Sequence, residues 1–164
     1  MRFFNKNVLL LILFAMIFCT GCHYGYEPLS SEKADAFLKS NSEDIDVIVE
    51  YLKELEYDSA VIDKNNGTIF FEYEYHKIMS NDVNNSIRHV WSNGCERIRM
   101  YKEDNTISFE IWSRSIRDVG YGISCTIDGQ GCPKVQFQTE CEPISDGWFY
   151  YYTDYEEYRS NSSK

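Results

Sequence analysis

The run Phe71-Glu72-Tyr73-Glu74-Tyr75-His76 is the most suggestive group of side chains able to do chemistry in this chain. If residues 68 to 76 form one extended strand, period-two alternation projects Glu72, Glu74 and His76 from a single face. Two carboxylates and an imidazole in a row could ligate a divalent metal or share a proton. The plainer reading is the solvated face of a hairpin, with Ile69, Phe71, Tyr73 and Tyr75 turned to the core; on it no metal and no cofactor are assigned. Arg88, Arg97, Arg99, Arg114 and Arg117 form a second group in an acidic chain. They could bind an anion, but Glu96, Glu103, Glu110 and Asp118 lie close by as pairing partners. The chain has no G-x-S-x-G, no H-E-x-x-H, no phosphate-binding glycine loop and no dinucleotide fingerprint. No catalytic residue is assigned, and an enzyme is not expected.

The remaining reactive type is cysteine, and the first cysteines sit at the end of a leader. Met1 to Asn7 carry Arg2 and Lys6 and no acid, and Val8 to Phe18 are uniformly apolar. A basic start, a short apolar run and small residues after it describe a secretory signal. Spanning a bilayer takes ~20 apolar residues, which this run lacks. Thr20 and Gly21 are small, and Cys22 follows them. This resembles the lipobox of bacterial lipoproteins. The resemblance implies that Cys22 receives a diacylglyceryl thioether, that cleavage falls before it, and that the new N-terminus is acylated. Several lipid chains on one residue hold a protein firmly at a membrane, whereas a single chain does so marginally. Cys19 is a poor acceptor because bulky Phe18 precedes it. His23 rather than Asp follows Cys22, which under the enterobacterial sorting rule implies the outer membrane in a Gram-negative host. The expected location is the cell envelope.

After Cys22 four cysteines remain: Cys95, Cys125, Cys132 and Cys141. An even number in an exported chain favours disulfides, and no two are spaced closely enough for a zinc C-x-x-C pair. If the strands after residue 95 run up and down in order, Cys125 and Cys132 share one end of the sheet and Cys95 and Cys141 the other. A strand over 134–139 would hold Cys132 and Cys141 ~20–30 Å apart, too far for a bond that needs Cα atoms within about 7 Å. The expected pairs are therefore Cys125–Cys132 and Cys95–Cys141.

The elements that position these groups follow from periodicity. Ala34, Phe37 and Leu38 mark a short helix over 31–39, and Ile45, Ile48, Val49, Leu52 and Leu55 a second over 42–56, N-capped by Asn41 or Ser42. Val83, Ile87, Val90 and Trp91 space a third over 82–92. Between the last two, Asn65-Asn66-Gly67 joins two β-rich runs as a hairpin. Strands are predicted over 95–101, 106–114, 121–127, 134–139 and 147–153. Residues 1–21 are read as the cleaved signal, 22–30 as a lipidated tether, 31–158 as one domain, and 159–164 as a disordered tail. The predicted fold is α+β: an antiparallel sheet of six to seven strands with N-terminal helices and one inserted helix, disulfide-stapled. The final strand is similar to the "GW(F/Y)YY" ends of small secreted or lipid-anchored bacterial proteins, a resemblance that implies no activity.

Arg2 and Lys6 are the leader's share of the 16 basic residues and it has none of the 26 acids, so the side chains after it sum to 14 minus 26, or −12. Such a surface repels phosphate backbones, and no nucleic-acid partner is expected. In "WFYYYTDYEEY", alternation puts Trp148, Tyr150 and Tyr152 on one face and Phe149 and Tyr151 on the other. One face lines the core. An uncovered second face would leave aromatics beside Asp154, Glu156 and Glu157, the pattern of a protein-binding surface. The expected function is recognition of a protein partner, with a protective role of the immunity or inhibitor kind. A structural or assembly factor of the envelope is the alternative, and an envelope hydrolase stands third.

Overall fold

The computed structural model describes residues 30–64, 68–71, 74–76, 80–114 and 119–162. Cys22, the turn predicted at 65–67, Glu72, Arg117 and Asp118 lie outside them. The chain is α+β, with one antiparallel sheet and helices that pack on it.

Two helices open the domain, α1 (Ser31–Ser40) and α2 (Ser42–Glu54). Their apolar residues recur at three and four, so each buries one stripe: Ala34, Phe37 and Leu38 on α1, and Ile45, Ile48, Val49 and Leu52 on α2. Asn41 is the joint. It is 1% exposed, and its amide donates to the Phe37 carbonyl at 2.8 Å, meeting an acceptor the helix end would leave unpaired. Its own side-chain oxygen accepts from Asn93 at 2.7 Å, at the end of α3 (Asn81–Ser92). Asp44 on α2 also pairs with His89 on α3. Ser80 caps α3 by accepting from the Val83 amide at 3.3 Å.

Among the described residues there are eight strands, three before α3 and five after it: β1 (Ser59–Asp63), β2 (Thr68–Phe71), β3 (Glu74–His76), β4 (Arg97–Tyr101), β5 (Thr106–Arg114), β6 (Val119–Thr126), β7 (Gln138–Ser145) and β8 (Trp148–Asp154). Their order is β3-β2-β1-β4-β5-β6-β8-β7. One face carries Ile62, Ile98, Met100, Ile107, Phe109, Ile123 and Tyr150, which join the helix stripes in a single core.

The sheet departs from the predicted meander in three places. The run 68–76 is not one strand. Phe71 pairs with Glu74 and Ile69 with His76, so β2 and β3 are two antiparallel strands rather than one. The predicted strand over 134–139 is a loop up to Phe137, and β7 starts later. Most importantly, β8 inserts between β6 and β7. Cys125 of β6 faces Trp148 of β8, whereas β7 begins with Gln138 opposite Thr153. The connection 127–137 must therefore travel along most of β8, about 17 Å at ~3.3 Å per residue. Its residues can reach about 36 Å when extended, so the route is open. We call this connection the strap. A turn at Gly147, with φ of 72° that a side chain would resist, then folds β8 back beside β7.

Candidate functional site

Before the irregularity that follows Glu110, the side chains of Thr106, Ser108 and Glu110 turn away from the helices, and this second face is also covered. Thr106, Ser108 and Glu110 on β5, and Ser124 and Thr126 on β6, are all buried. The strap lies over them. The Lys134 amide donates to Thr106 Oγ1 at 2.9 Å and the Asp154 amide to the Phe137 carbonyl at 3.2 Å. Tyr151 crosses from β8 and is 1% exposed. Its hydroxyl passes over Gly122, where a Cβ would sit 2.9 Å away. Burial, and then the charge of Glu110, raise the Tyr151 pKa strongly, so this phenol stays neutral.

Under this cover four charges meet. Arg97 pairs with Asp63 at 2.7 Å and with Glu110 at 3.4 Å, and Arg99 reaches the other Glu110 oxygen at 2.9 Å. The arginines therefore pair with carboxylates across strands β1, β4 and β5, as the plainer sequence reading has it for Arg97 and Arg99. Burial works against the Arg97 charge, but the hydrogen bond to Asp63 and the Glu110 and Glu96 charges outweigh it and hold its pKa above the ordinary value. The cluster is a structural clamp rather than an anion site, because each arginine already faces a carboxylate. Among the described residues no group of His, Cys, Asp and Glu is placed to hold a metal ion.

The cysteines do not fall where the sequence reading puts them, and no pair of the four is at bonding distance. Cys125 is buried on the helix side, near Lys53 and Asp46 of α2. Cys132 belongs to the strap on the opposite side, so a Cys125–Cys132 staple would have to pass through the sheet. Cys95 is buried where α3 leads into β4, its thiol donating to the Arg97 carbonyl at 3.5 Å. Cys141 lies on the edge strand opposite Tyr151, on the second face. Its neighbour is the Cys132 side chain rather than Cys95. The predicted pairs Cys125–Cys132 and Cys95–Cys141 both assumed an unbroken meander, and the inserted β8 removes that premise.

The aromatic strand is covered on both faces. Tyr150 and Tyr151 are core residues, 4% and 1% exposed, and Trp148 and Tyr152 pack partly buried against the helix-side core. Exposed aromatics appear one element later. Residues after β8 form α4 (Tyr155–Ser162), so Arg159 to Ser162 are helical rather than a disordered tail. Asp154 caps it, accepting from the Glu157 amide at 3.0 Å. The Asp154–Glu157 spacing is a capping-box pattern and Tyr155–Tyr158 a one-turn spacing, and these are the sequence signals for this helix. Phe137 of the strap meets Tyr155 and Tyr158 edge-on, at centroid distances of 4.8 and 5.8 Å. Tyr155 and Tyr158 are still 38% and 43% exposed, beside exposed Glu156 and Glu157. Next to them a cleft of about 500 Å³ is lined by Tyr101, Asp104, Lys134, Phe137 and Tyr158.

Among the described residues no helix is long and apolar enough to cross a membrane. No protein-family model, no curated protein and no solved structure matches the chain.

Proposed function

We propose that this chain is an envelope lipoprotein, anchored through Cys22, that works by binding another protein rather than by catalysis. Within that class a protective role, of the immunity or inhibitor kind, suits a small acidic domain held at a membrane. The observation that carries the reading is the corner made by α4 and the strap: two exposed tyrosines flanked by Asp154, Glu156 and Glu157 beside a cleft. Tyrosine supplies contact area with few rotatable bonds, and the carboxylates attract a basic surface. The aromatic contribution shifts from Trp148, Tyr150, Tyr151 and Tyr152, which serve the core, to Tyr155 and Tyr158.

The test is kinetic. A partner is first recovered by crosslinking in membranes and detergent-solubilised pull-down. Association is then measured with Asp154→Asn, Glu156→Gln and Glu157→Gln combined. Exposed charges act over ~10 Å at 0.1 M salt, so the triple variant should associate several-fold more slowly at low salt. Tyr158→Ala should instead speed dissociation. Unchanged rates in both variants remove this corner from the interface.

A further inference from the structure

Cys132 of the strap and Cys141 of the edge strand are neighbouring free thiols on the second face of the sheet, their side chains in contact range but unbonded. Cys132 lies in the strap between its Asp128–Gly131 turn and Lys134, whose amide is tied to Thr106. Cys141 is opposite Tyr151 in register, so its side chain leaves β7 on the face that the strap crosses. Cys132 is the exposed residue of the two and Cys141 the half-buried one, so a reagent from solvent meets Cys132 first. Cys95 and Cys125, by contrast, are 0% and 7% exposed, each in a different part of the core.

We propose that Cys132 and Cys141 are a redox pair that closes into a disulfide and fastens the strap to β7, while Cys95 and Cys125 remain thiols. The oxidant is a disulfide, either a small one such as oxidised glutathione or that of a protein oxidoreductase. Cys132, as thiolate, attacks one sulfur of that disulfide; a mixed disulfide forms and one thiol leaves. Cys141 then gives up its proton and attacks Cys132 Sγ, expelling the second thiol. Two electrons and both cysteine protons end on the two released thiols, and one Sγ–Sγ bond has formed. Burial, and then the adjoining Cys132 thiol, push the Cys141 pKa up to about 12. Cys132, being exposed, is the first to react, and half-buried Cys141 is the one that resolves. The bond would also act on the corner beyond it, because Phe137 of the same strap packs on Tyr155 and Tyr158. The pairing concerns the folded domain alone and stands whether or not Cys22 carries lipid.

The experiment treats the folded full chain in detergent with oxidised glutathione, alkylates free thiols, and digests with trypsin and an Asp-specific protease without reduction. The digest separates Cys132 in fragment 128–134 from Cys141 in 135–145 and Cys125 in 118–127. The expected result is 128–134 joined to 135–145, lighter by two hydrogens than the separate peptides, with Cys95 and Cys125 alkylated only after unfolding. Cys141→Ser should trap glutathione on Cys132, and Cys132→Ser should slow modification of Cys141 at least tenfold. Cleavage after Lys134 in the folded protein should slow on oxidation. A 118–127 to 128–134 crosslink, or a stable Cys132 adduct in the unaltered chain, overturns the proposal.

Discussion

Replacing Gly122 with alanine tests the geometry that places Tyr151 and closes the second face. A Cβ at Gly122 would sit 2.0 Å from the Phe109 carbonyl oxygen and 2.9 Å from the Tyr151 hydroxyl. An ordinary carbon–oxygen approach is about 3.3 Å, so β5 and β6 must part by roughly 1 Å where Glu110 faces Gly122, beside the irregularity between Glu110 and Trp112. That separation weakens about two ladder hydrogen bonds at ~1 kcal/mol each, and the overpacking itself costs ~1–3 kcal/mol. The expected loss is about 3 kcal/mol. With a urea m-value of ~2 kcal/mol/M, the unfolding midpoint should fall by ~1.5 M. Gly120→Ala is the control. Its Cβ would meet the Trp112 carbonyl at 3.1 Å and Thr153 Oγ1 at 3.3 Å, contacts that yield with shifts of tenths of an ångström. It should move the midpoint by less than ~0.5 M. Trp112 lies on β5 and Trp148 on β8 beside β6, so tryptophan fluorescence reports the transition. If Gly122→Ala costs no more than Gly120→Ala, the close approach of β5, β6 and Tyr151 is not native and the account of the second face fails.

Glu110→Gln should destabilise the domain by about 2 kcal/mol, below the ~3–5 typical of a severed buried pair because Arg97 and Arg99 remain 31% and 25% exposed. Adding Arg99→Met should recover part of that loss, and strictly additive costs in urea titrations would show that the two residues are uncoupled. Stability should also fall at alkaline pH. Burial raises the Cys95 and Cys125 thiols from 9.0 to about 12, so the folded state holds protons that the unfolded chain releases. Their contribution is intact below pH ~9 and declines by up to ~1.4 kcal/mol per pH unit per thiol towards pH 12; a midpoint flat from pH 8 to 11 would refute it. Cys22→Ser should abolish metabolic lipid labelling, and labelling lost in Cys19→Ser instead would move the anchor.

Period and local chemistry in the sequence suffice for the helices and for most strands. Ile45, Ile48, Val49 and Leu52 can share a face only on a helix, and the α2 they mark differs from the expected span only at its last turn. The alternation of Thr106 to Arg114 marks β5 end to end. Such signals lie within one segment, where spacing alone decides which side chains meet. The α+β class and antiparallel pairing follow from them. Which strand lies beside which is a different kind of fact. Residues 127–137 are long enough either to turn back at once or to cross a sheet face, and only the packed sheet, with β8 between β6 and β7, selects the crossing. That choice buries Tyr151, puts Cys132 beside Cys141 instead of Cys125, and seats Phe137 under α4. The periodicity of "WFYYYTD" shows two faces, but whether the second is wet depends on the strap that comes to lie over it. The tertiary structure decided which aromatics face solvent and which thiols meet, because both depend on contacts between segments whose sequences carry no mark of one another.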